Sequence, residues 1–259
     1  MKDFFIGILK KVNLYVPLVS YKRKLDKKKF EKDEKNNSQK RVAFYKQFLF
    51  PGDLVYDVGA NVGNRVESFL DLKCKVVAVE PQPDCINELR RKFESLIQIA
   101  EVGLGASESE KTMYISNANT ISSLSEEWIK SVKESRFRRF EWNKEIQIKI
   151  TTLDLLIKKY GSPKFCKIDV EGYELEVLKG LTSPIPFISL EYTVPEQLDN
   201  LLNCISYCNS LNNNYKYNYS KGESMKLELV DFISFDEFTA LIRTNKFIES
   251  SSGDVYLKL

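Results

Sequence analysis

A short apolar run that ends in a glycine-rich turn constrains the fold of this 259-residue chain more than any other feature. The run is Leu54–Val58, and Gly59 and Gly63 follow it closely. An apolar run of this length predicts a buried strand, and glycine lets the backbone after it turn tightly. Val66 and Phe69 continue with helical spacing. The sequence therefore predicts a strand that enters a loop and leads into a helix, the opening unit of an α/β domain.

The same alternation continues along the chain. Strand, helix, strand, helix and strand in succession predict a mostly parallel, doubly wound sheet. We expect strands at 76–79, 97–102, 111–116, 146–151, 165–170 and 187–190, and helices at 42–49, 86–93, 153–160, 175–178 and 196–211. The last two strands, at 215–219 and 255–259, are expected to form an antiparallel edge.

The charge of the chain divides it into two parts. Residues 21–41 contain ten Lys or Arg and four Asp or Glu, whereas the whole chain has a net charge of only +3. We therefore predict a basic lead-in over 1–41, helical or peripheral, followed by one α/β domain over 42–259. A solvated lead-in is the first expectation, and contact with an anionic membrane surface is the alternative.

A polar, aromatic and basic stretch over residues 121–142 interrupts the α/β pattern. We predict an insertion near 120–145 that contains a helix and covers the binding side of the domain. Its rings and arginines favour a glycan or a phosphate-bearing acceptor, but packing of an amphipathic helix on the core explains them equally well. The residues concerned are Trp128, Arg136, Phe137, Arg138, Arg139, Phe140 and Trp142.

The residue types exclude several kinds of chemistry. The chain has no histidine, which excludes a histidine base and an imidazole metal site. Its five cysteines form no CxxC pair, which argues against disulfides or an iron–sulfur centre and indicates a reducing, cytoplasmic compartment. The apolar run at 4–9 is too short to span a bilayer, which leaves peripheral contact with the inner membrane face as an option. Because the chain outside the lead-in is slightly acidic, we expect no nucleic-acid partner.

Two acidic residues at strand ends indicate the kind of ligand. Asp57 stands before the glycine turn, where a GxGxxG fingerprint is absent. A carboxylate there repels a pyrophosphate and suits a phosphate-free ligand that carries an ammonium and a sulfonium. Glu80 follows 23 residues later, at the spacing where an acidic side chain receives ribose hydroxyls. Together they predict a pocket for S-adenosylmethionine.

A charged string at the end of the fourth core strand predicts the reaction centre. Lys167, Asp169 and Glu171 alternate, so they point to one face if the strand stays extended. At the carboxyl end of a parallel strand that face looks into the binding crevice. A solvated strand end with a salt bridge is the alternative.

At this point the sequence resembles the FkbM family of methyltransferases. The likeness covers roughly residues 50 to 192, and its most specific part is the string from Phe165 to Glu174. It implies a Rossmann-like class I methyltransferase fold, S-adenosylmethionine as the donor and an O-methyl product. Family acceptors include polyketide macrolides and sugars of surface polysaccharides. The segments that carry the likeness are 56–63, 79–84, 152–154, 165–174 and 177–180.

The pattern and the resemblance lead to one set of predicted site residues. The cofactor residues are Asp57, Gly59, Asn61, Gly63, Glu80, Pro81 and Gly103. The catalytic residues are Asp169, Glu171 and Lys167, and the acceptor residues are Glu191 and Tyr173. Asp169 or Glu171 is expected to act as the base, with Lys167 orienting the acceptor or tuning their charge.

Three alternatives stay open from the sequence. In the first alternative, Asp169 and Glu191 share a divalent cation such as Mg²⁺, although a required metal is not favoured. A nicotinamide-dependent oxidoreductase has the same architecture, but the missing fingerprint and Asp57 argue against it. A non-catalytic nucleoside-binding or membrane-surface module is the third.

Overall fold

The computed structural model of the protein describes residues 36–259. The basic lead-in therefore lies almost entirely outside the described residues, and the predicted division at 41/42 stays a prediction. A first helix, α1 (36–45), crosses that position. Its Phe44 and Tyr45 are buried against the sheet, so the helix belongs to the domain.

A seven-stranded sheet forms the centre of the domain, in the order β3-β2-β1-β7-β8-β10-β9. The strands β1, β2, β3, β7 and β8 are parallel, whereas β10 runs antiparallel to both of its neighbours. This arrangement confirms the predicted Rossmann-like fold with an antiparallel edge. The strands are β1 (Leu54–Val58), β2 (Lys75–Val79), β3 (Gln98–Ala100), β7 (Phe165–Ile168), β8 (Phe187–Thr193), β9 (Lys216–Tyr219) and β10 (Ser252–Lys258).

Helices cover both faces of this sheet because alternate strand residues are apolar on both sides. Val55 packs with Phe69 beneath α1, whereas Tyr56 and Val58 belong to the core on the opposite face. The helices after α1 are α2 (Asn64–Asp71), α3 (Pro83–Phe93), α4 (Glu126–Lys133), α5 (Leu153–Tyr160), α6 (Glu174–Lys179), α7 (Leu198–Leu211), α8 (Phe235–Leu241) and α9 (Asn245–Ile248).

A second, three-stranded sheet stands apart, in the order β4-β6-β5. It comprises β4 (Gly103–Leu104), β5 (Ser109–Ser116) and β6 (Trp142–Thr151), and α4 lies in the connection between β5 and β6. The predicted helix of the insertion therefore sits at the tip of a long hairpin. We call residues 109–151 the arm.

Most of the predicted strands differ from the structure in their bounds. The strand predicted at 97–102 is two strands, β3 and β4, which belong to different sheets. The strand predicted at 165–170 ends at Ile168, and the one predicted at 187–190 extends to Thr193. Local apolar periodicity does not show where a strand ends in a turn or where the chain passes from one sheet to another. Between residues 36 and 259, no helix combines the length and apolar character needed to cross a membrane.

Candidate functional site

A cleft opens at the carboxyl ends of β1, β2, β7 and β8, where doubly wound sheets bind ligands. Gly63 lies behind its wall, because a side chain there would meet the ring of Phe93 at 2.3 Å. That glycine serves the packing of α2 against α3. The other sequence-predicted residues all line the cleft: Asp57, Gly59, Asn61, Glu80, Pro81, Gly103, Lys167, Asp169, Glu171, Tyr173 and Glu191.

The glycine turn lies directly against the end of β7. Gly59 has φ +81°, and a Cβ on it would stand 1.8 Å from the carbonyl oxygen of Asp169. Only glycine therefore allows β1 to leave the sheet beside that carbonyl. This close approach joins the two halves of the site. We call the half formed by Asp57, Asn61 and Glu80 the turn side.

Glu80 is buried and bound by the backbone of the turn side. Its Oε2 accepts from the amide of Asn61 at 2.8 Å, and its Oε1 accepts from the amide of Gln82 at 2.9 Å. Burial nevertheless raises its pKa to about 7, against the lowering effect of these bonds. Each carboxylate oxygen keeps a second lone pair for a ligand hydroxyl.

Asp57 lies one strand away, in register with Ala78 of β2. The residue is 2% exposed, and its Oδ2 has no hydrogen-bond partner. Burial raises its pKa to about 6, although Lys167 and Arg65 lower it. A buried acceptor without a partner is costly, so it marks a place where a ligand donor completes the site. Asp57 and Glu80 thus share one pocket, as the sequence predicts.

The other half of the cleft holds Asp169, Glu171 and Glu191, which we call the acid cluster. One carboxylate oxygen of each lies within 4.8 Å of the other two. Lys167 forms an ion pair with Asp169. The strand ends before Asp169, so Glu171 joins the cluster through a turn at φ +53° and not through strand alternation. The predicted grouping occurs, but its predicted geometric cause is wrong.

The charges of the acid cluster are unequal. Burial opposes the ionisation of Asp169, but Lys167, Glu191 and Arg65 together outweigh it and lower the pKa of that carboxyl below its usual value. Burial and then the negative charge of Asp169 raise the pKa values of Glu171 and Glu191 well above the usual range. A side-chain hydrogen bond joins Glu191 to Asp169. The cluster therefore combines one carboxyl that ionises readily with two whose carboxylates are more basic than usual.

The same three acids are the group of ligands within residues 36–259 that could hold a metal ion. Carboxylate oxygens suit a hard divalent cation such as Mg²⁺. Asp169 and Glu191 are the two metal ligands that the sequence suggested, and the structure adds Glu171 to them. A required metal stays untested.

A buried glutamate holds the turn that carries Glu171. Glu174 accepts from the amides of Val170 at 3.2 Å and Gly172 at 3.1 Å, and Asn200 donates to its other oxygen at 3.1 Å. Burial raises its pKa to about 7. Glu174 was not among the predicted site residues. Its place in the first turn of α6, where an acid satisfies free amides, is the sequence signal that identifies it.

The arm holds the same turn from the other side. Ser123 donates from Oγ to the carbonyl of Glu171 at 2.7 Å. Trp128 is 1% exposed and covers Gly172, where an added Cβ would stand 2.4 Å from the indole. Sequence reasoning missed both roles, because the contacts join residues about 45 positions apart with no local signal.

Most of the aromatic and basic residues singled out in the arm make packing or local backbone contacts. Phe137, Phe140 and Trp142 pack with Trp128 in a small core of their own. Arg136 donates to the carbonyls of Val194 and Ser251 and pairs with Glu196. Arg138 donates to the carbonyl of Glu134. The structure thus favours the packing explanation over the glycan or phosphate explanation.

The cleft also contains a cation that the sequence did not suggest. Arg65, the second residue of α2, lines the cleft beside Asn64. A cation in the first turn opposes the helix dipole. Such a break of a local rule is the signal that would have identified Arg65 as a site residue.

This chain is similar in sequence to methyltransferases. The family model described as the methyltransferase FkbM domain matches residues 57–217, which contain both the turn side and the acid cluster. Hexuronic acid methyltransferase AglP of Haloferax volcanii is 28% identical over 142 residues, 53% of this chain and 53% of the relative. This chain thus matches about half the length of that curated relative.

Two solved structures are similar to the whole domain in outline. Precorrin-6y C5,15-methyltransferase of Geobacter metallireducens has a TM-score of 0.42 and 11% identity, over 85% of this chain and 88% of that one. An rRNA methylase of Streptococcus thermophilus has a TM-score of 0.41 and 12% identity, over 84% of this chain and 92% of that one.

Proposed function

This chain belongs to the FkbM methyltransferase domain family, and we propose that it transfers a methyl group from S-adenosylmethionine to a neutral hydroxyl of a sugar or glycan. The observation that carries the proposal is the acid cluster, which meets the cofactor pocket at the contact between Gly59 and Asp169. A base of raised pKa beside a methyl donor is what an alcohol acceptor requires.

S-adenosylmethionine is the cofactor and supplies an activated methyl group on a sulfonium. The residues of the turn side fit it. The orphaned Oδ2 of Asp57 accepts from an ammonium, and the spare lone pairs of Glu80 accept from ribose hydroxyls. Gly59, Asn61 and Pro81 form the wall between them, and Gly103 with its apolar neighbours Val102 and Leu104 suits an adenine ring.

Glu171 is the base in this proposal. Burial and the negative charge of Asp169 raise the pKa of Glu171, and a carboxylate of raised pKa is a stronger general base than an ordinary one. Asp169, kept ionised by Lys167, is a weaker base but orients the acceptor hydroxyl and holds the pKa of Glu171 high. Glu191 and Tyr173 complete the acceptor wall.

The acceptor is neutral because the site has no spare positive charge beside the acid cluster. Two cations line the cleft: Lys167, which is paired with Asp169 of the acid cluster, and Arg65, which lies in α2 after the glycine turn. A carboxylate brought next to Glu171 and Glu191 would lose its solvation and meet like charge. A hydroxyl meets hydrogen-bond acceptors instead. The relative AglP is named for a hexuronic acid, so this charge argument separates the two proteins.

The test is a labelled-methyl assay on matched acceptors. Alkyl glucosides and the corresponding glucuronides are offered with labelled S-adenosylmethionine, and the product is treated with mild base. We expect label on the neutral sugar in a base-stable ether. Base-labile label on the glucuronide would mean a methyl ester and would overturn the proposed acceptor.

Binding of S-adenosylhomocysteine is measured on the same preparation as a control. Binding without transfer to any sugar, surface polysaccharide or small hydroxylic molecule would favour the non-catalytic alternative. Absence of binding would overturn the cofactor assignment itself.

A further inference from the structure

Arg65 lines the cleft, and its ion pair with Glu223 does not explain why a cation is buried there. Both oxygens of Glu223 accept from Nη2 of Arg65 at 2.7 Å. The Glu223 side chain is 71% exposed, whereas that of Arg65 is 11% exposed. Ion pairs to an exposed partner contribute little stability, and burying a guanidinium is costly. The pair alone therefore does not account for a buried cation at this position.

The guanidinium has donors left for a ligand. A guanidinium carries five N–H donors, and Glu223 uses those of one nitrogen. The Nε of Arg65 is buried without a hydrogen-bond partner. The Oδ2 atom of Asp57 is also buried without a hydrogen-bond partner, and the charge of Arg65 lowers the pKa of Asp57. A positive and a negative group thus line the same cleft, each with an unsatisfied polar atom.

The sheet order says which end of the cofactor meets this pair. Val102 and Gly103 follow β3, Glu80 follows β2 and Asp57 lies at the end of β1, so these groups succeed one another along the strand ends. Arg65 lies beyond them, because it contacts Glu223 in the segment between β9 and α8. Base, ribose and amino-acid tail follow one another in the same order in the cofactor.

From these observations we infer that Arg65 binds the carboxylate of the cofactor's amino-acid tail while Asp57 binds its ammonium. The opposite charges of the two side chains match the zwitterion, and the amides at the N-terminus of α2 add positive potential on the side of Arg65. The assignment rests on the cofactor and not on the acceptor proposed above.

The test compares three nucleosides on the full-length chain by titration calorimetry. S-adenosylhomocysteine carries both tail charges, its decarboxylated analogue carries the ammonium alone, and 5′-methylthioadenosine carries neither. In Arg65→Met we expect affinity for S-adenosylhomocysteine to fall about 10- to 100-fold, the effect of losing a charge-assisted hydrogen bond. Affinities for the other two ligands should stay within about threefold of wild type. Equal losses for all three, or no loss for any, would overturn the assignment.

Two further variants keep the test decisive. Glu223→Gln removes the ion pair but leaves the cation, so affinity for S-adenosylhomocysteine should be retained. A loss as large as that of Arg65→Met would mean that the pair merely fastens the loop, and would overturn the inference. If Arg65→Met does not fold, Arg65→Lys keeps the charge without the planar fork, and its loss must again be confined to the ligand with a carboxylate.

Discussion

The two halves of the cleft keep buried carboxylates in different ways. On the turn side, Glu80 is held by two backbone amides within its own neighbourhood, and Asp57 is left with one free oxygen. In the acid cluster, Asp169 depends on Lys167 and Glu191, and Glu171 depends on a turn fixed by the arm. The first half is locally built, whereas the second is assembled from distant segments.

This difference indicates a division of labour. A half that is complete except for one acceptor is preorganised to bind, and binding changes little in it. A half with surplus negative charge and raised pKa values is poised to exchange a proton. Changes on the turn side should therefore alter cofactor affinity, and changes in the acid cluster should alter turnover.

The largest expected effect is on the acid cluster. Glu171→Gln removes the proposed base, so kcat should fall about 100- to 10,000-fold. Affinity for S-adenosylhomocysteine should change less than about threefold, because Glu171 is not on the turn side. Single-turnover kinetics and calorimetry measure the two. Glu67→Gln, an exposed change on α2, is the control. Equal losses of cofactor affinity and of kcat would contradict separate roles for the two halves of the cleft.

The complementary change is Glu80→Gln. The glutamine side chain has the same shape, but only its oxygen accepts hydrogen bonds. It therefore cannot accept hydrogen bonds from both backbone amides and from the ribose hydroxyls as the carboxylate does. We expect Kd for S-adenosylhomocysteine to rise about 10- to 100-fold. Near-normal kcat at saturating cofactor would support the separation. A variant with normal Kd and reduced kcat would reverse the roles of the two halves.

The pH dependence should distinguish the free protein from the complex. Asp57 and Glu80 have pKa values raised by burial to about 6 and about 7, so the folded state binds more protons than the unfolded state below those values. Stability without ligand should therefore fall as pH rises from the ordinary carboxyl pKa of about 4 to about 7, and should change little above that. Affinity for S-adenosylhomocysteine should rise about tenfold over the same interval, because an ammonium and ribose hydroxyls favour the ionised carboxylates.

Thermal melts with and without ligand across this pH interval measure both trends. In Asp57→Asn the rise in affinity should be smaller. Affinity that is flat with pH in wild type would show that neither carboxyl titrates on binding.

The smallest expected effect tests the link between the arm and Glu171. Ser123→Ala removes the bond to the carbonyl of Glu171 and should lower stability by about 1 kcal/mol. We expect kcat to drop about three- to tenfold with unchanged cofactor affinity. Ser210→Ala, which removes a similar bond on exposed α7, should leave kcat unaffected. Matching losses in the two variants would mean that the arm contributes only stability.

Much of this arrangement was predictable because it is local. The strand, glycine turn and helix at 54–71 follow from apolar spacing and from glycines at the turn. The spacing of Asp57 and Glu80 places them at neighbouring parallel strand ends, since one crossover separates them. The grouping of Asp169 and Glu171 was predicted for the wrong reason, because a turn and not an extended strand brings them together.

The sequence by itself therefore determined the parallel sheet, its glycine turn and the pocket at its strand ends. The tertiary structure alone decided that Arg65 lines the same cleft as Asp57, that Trp128 and Ser123 hold the turn of Glu171, and that the aromatics of the arm form a core. The physical reason is the range of the interactions. Turn geometry and apolar periodicity act over a few residues, whereas the ionisation of a buried carboxyl depends on every charge folded against it.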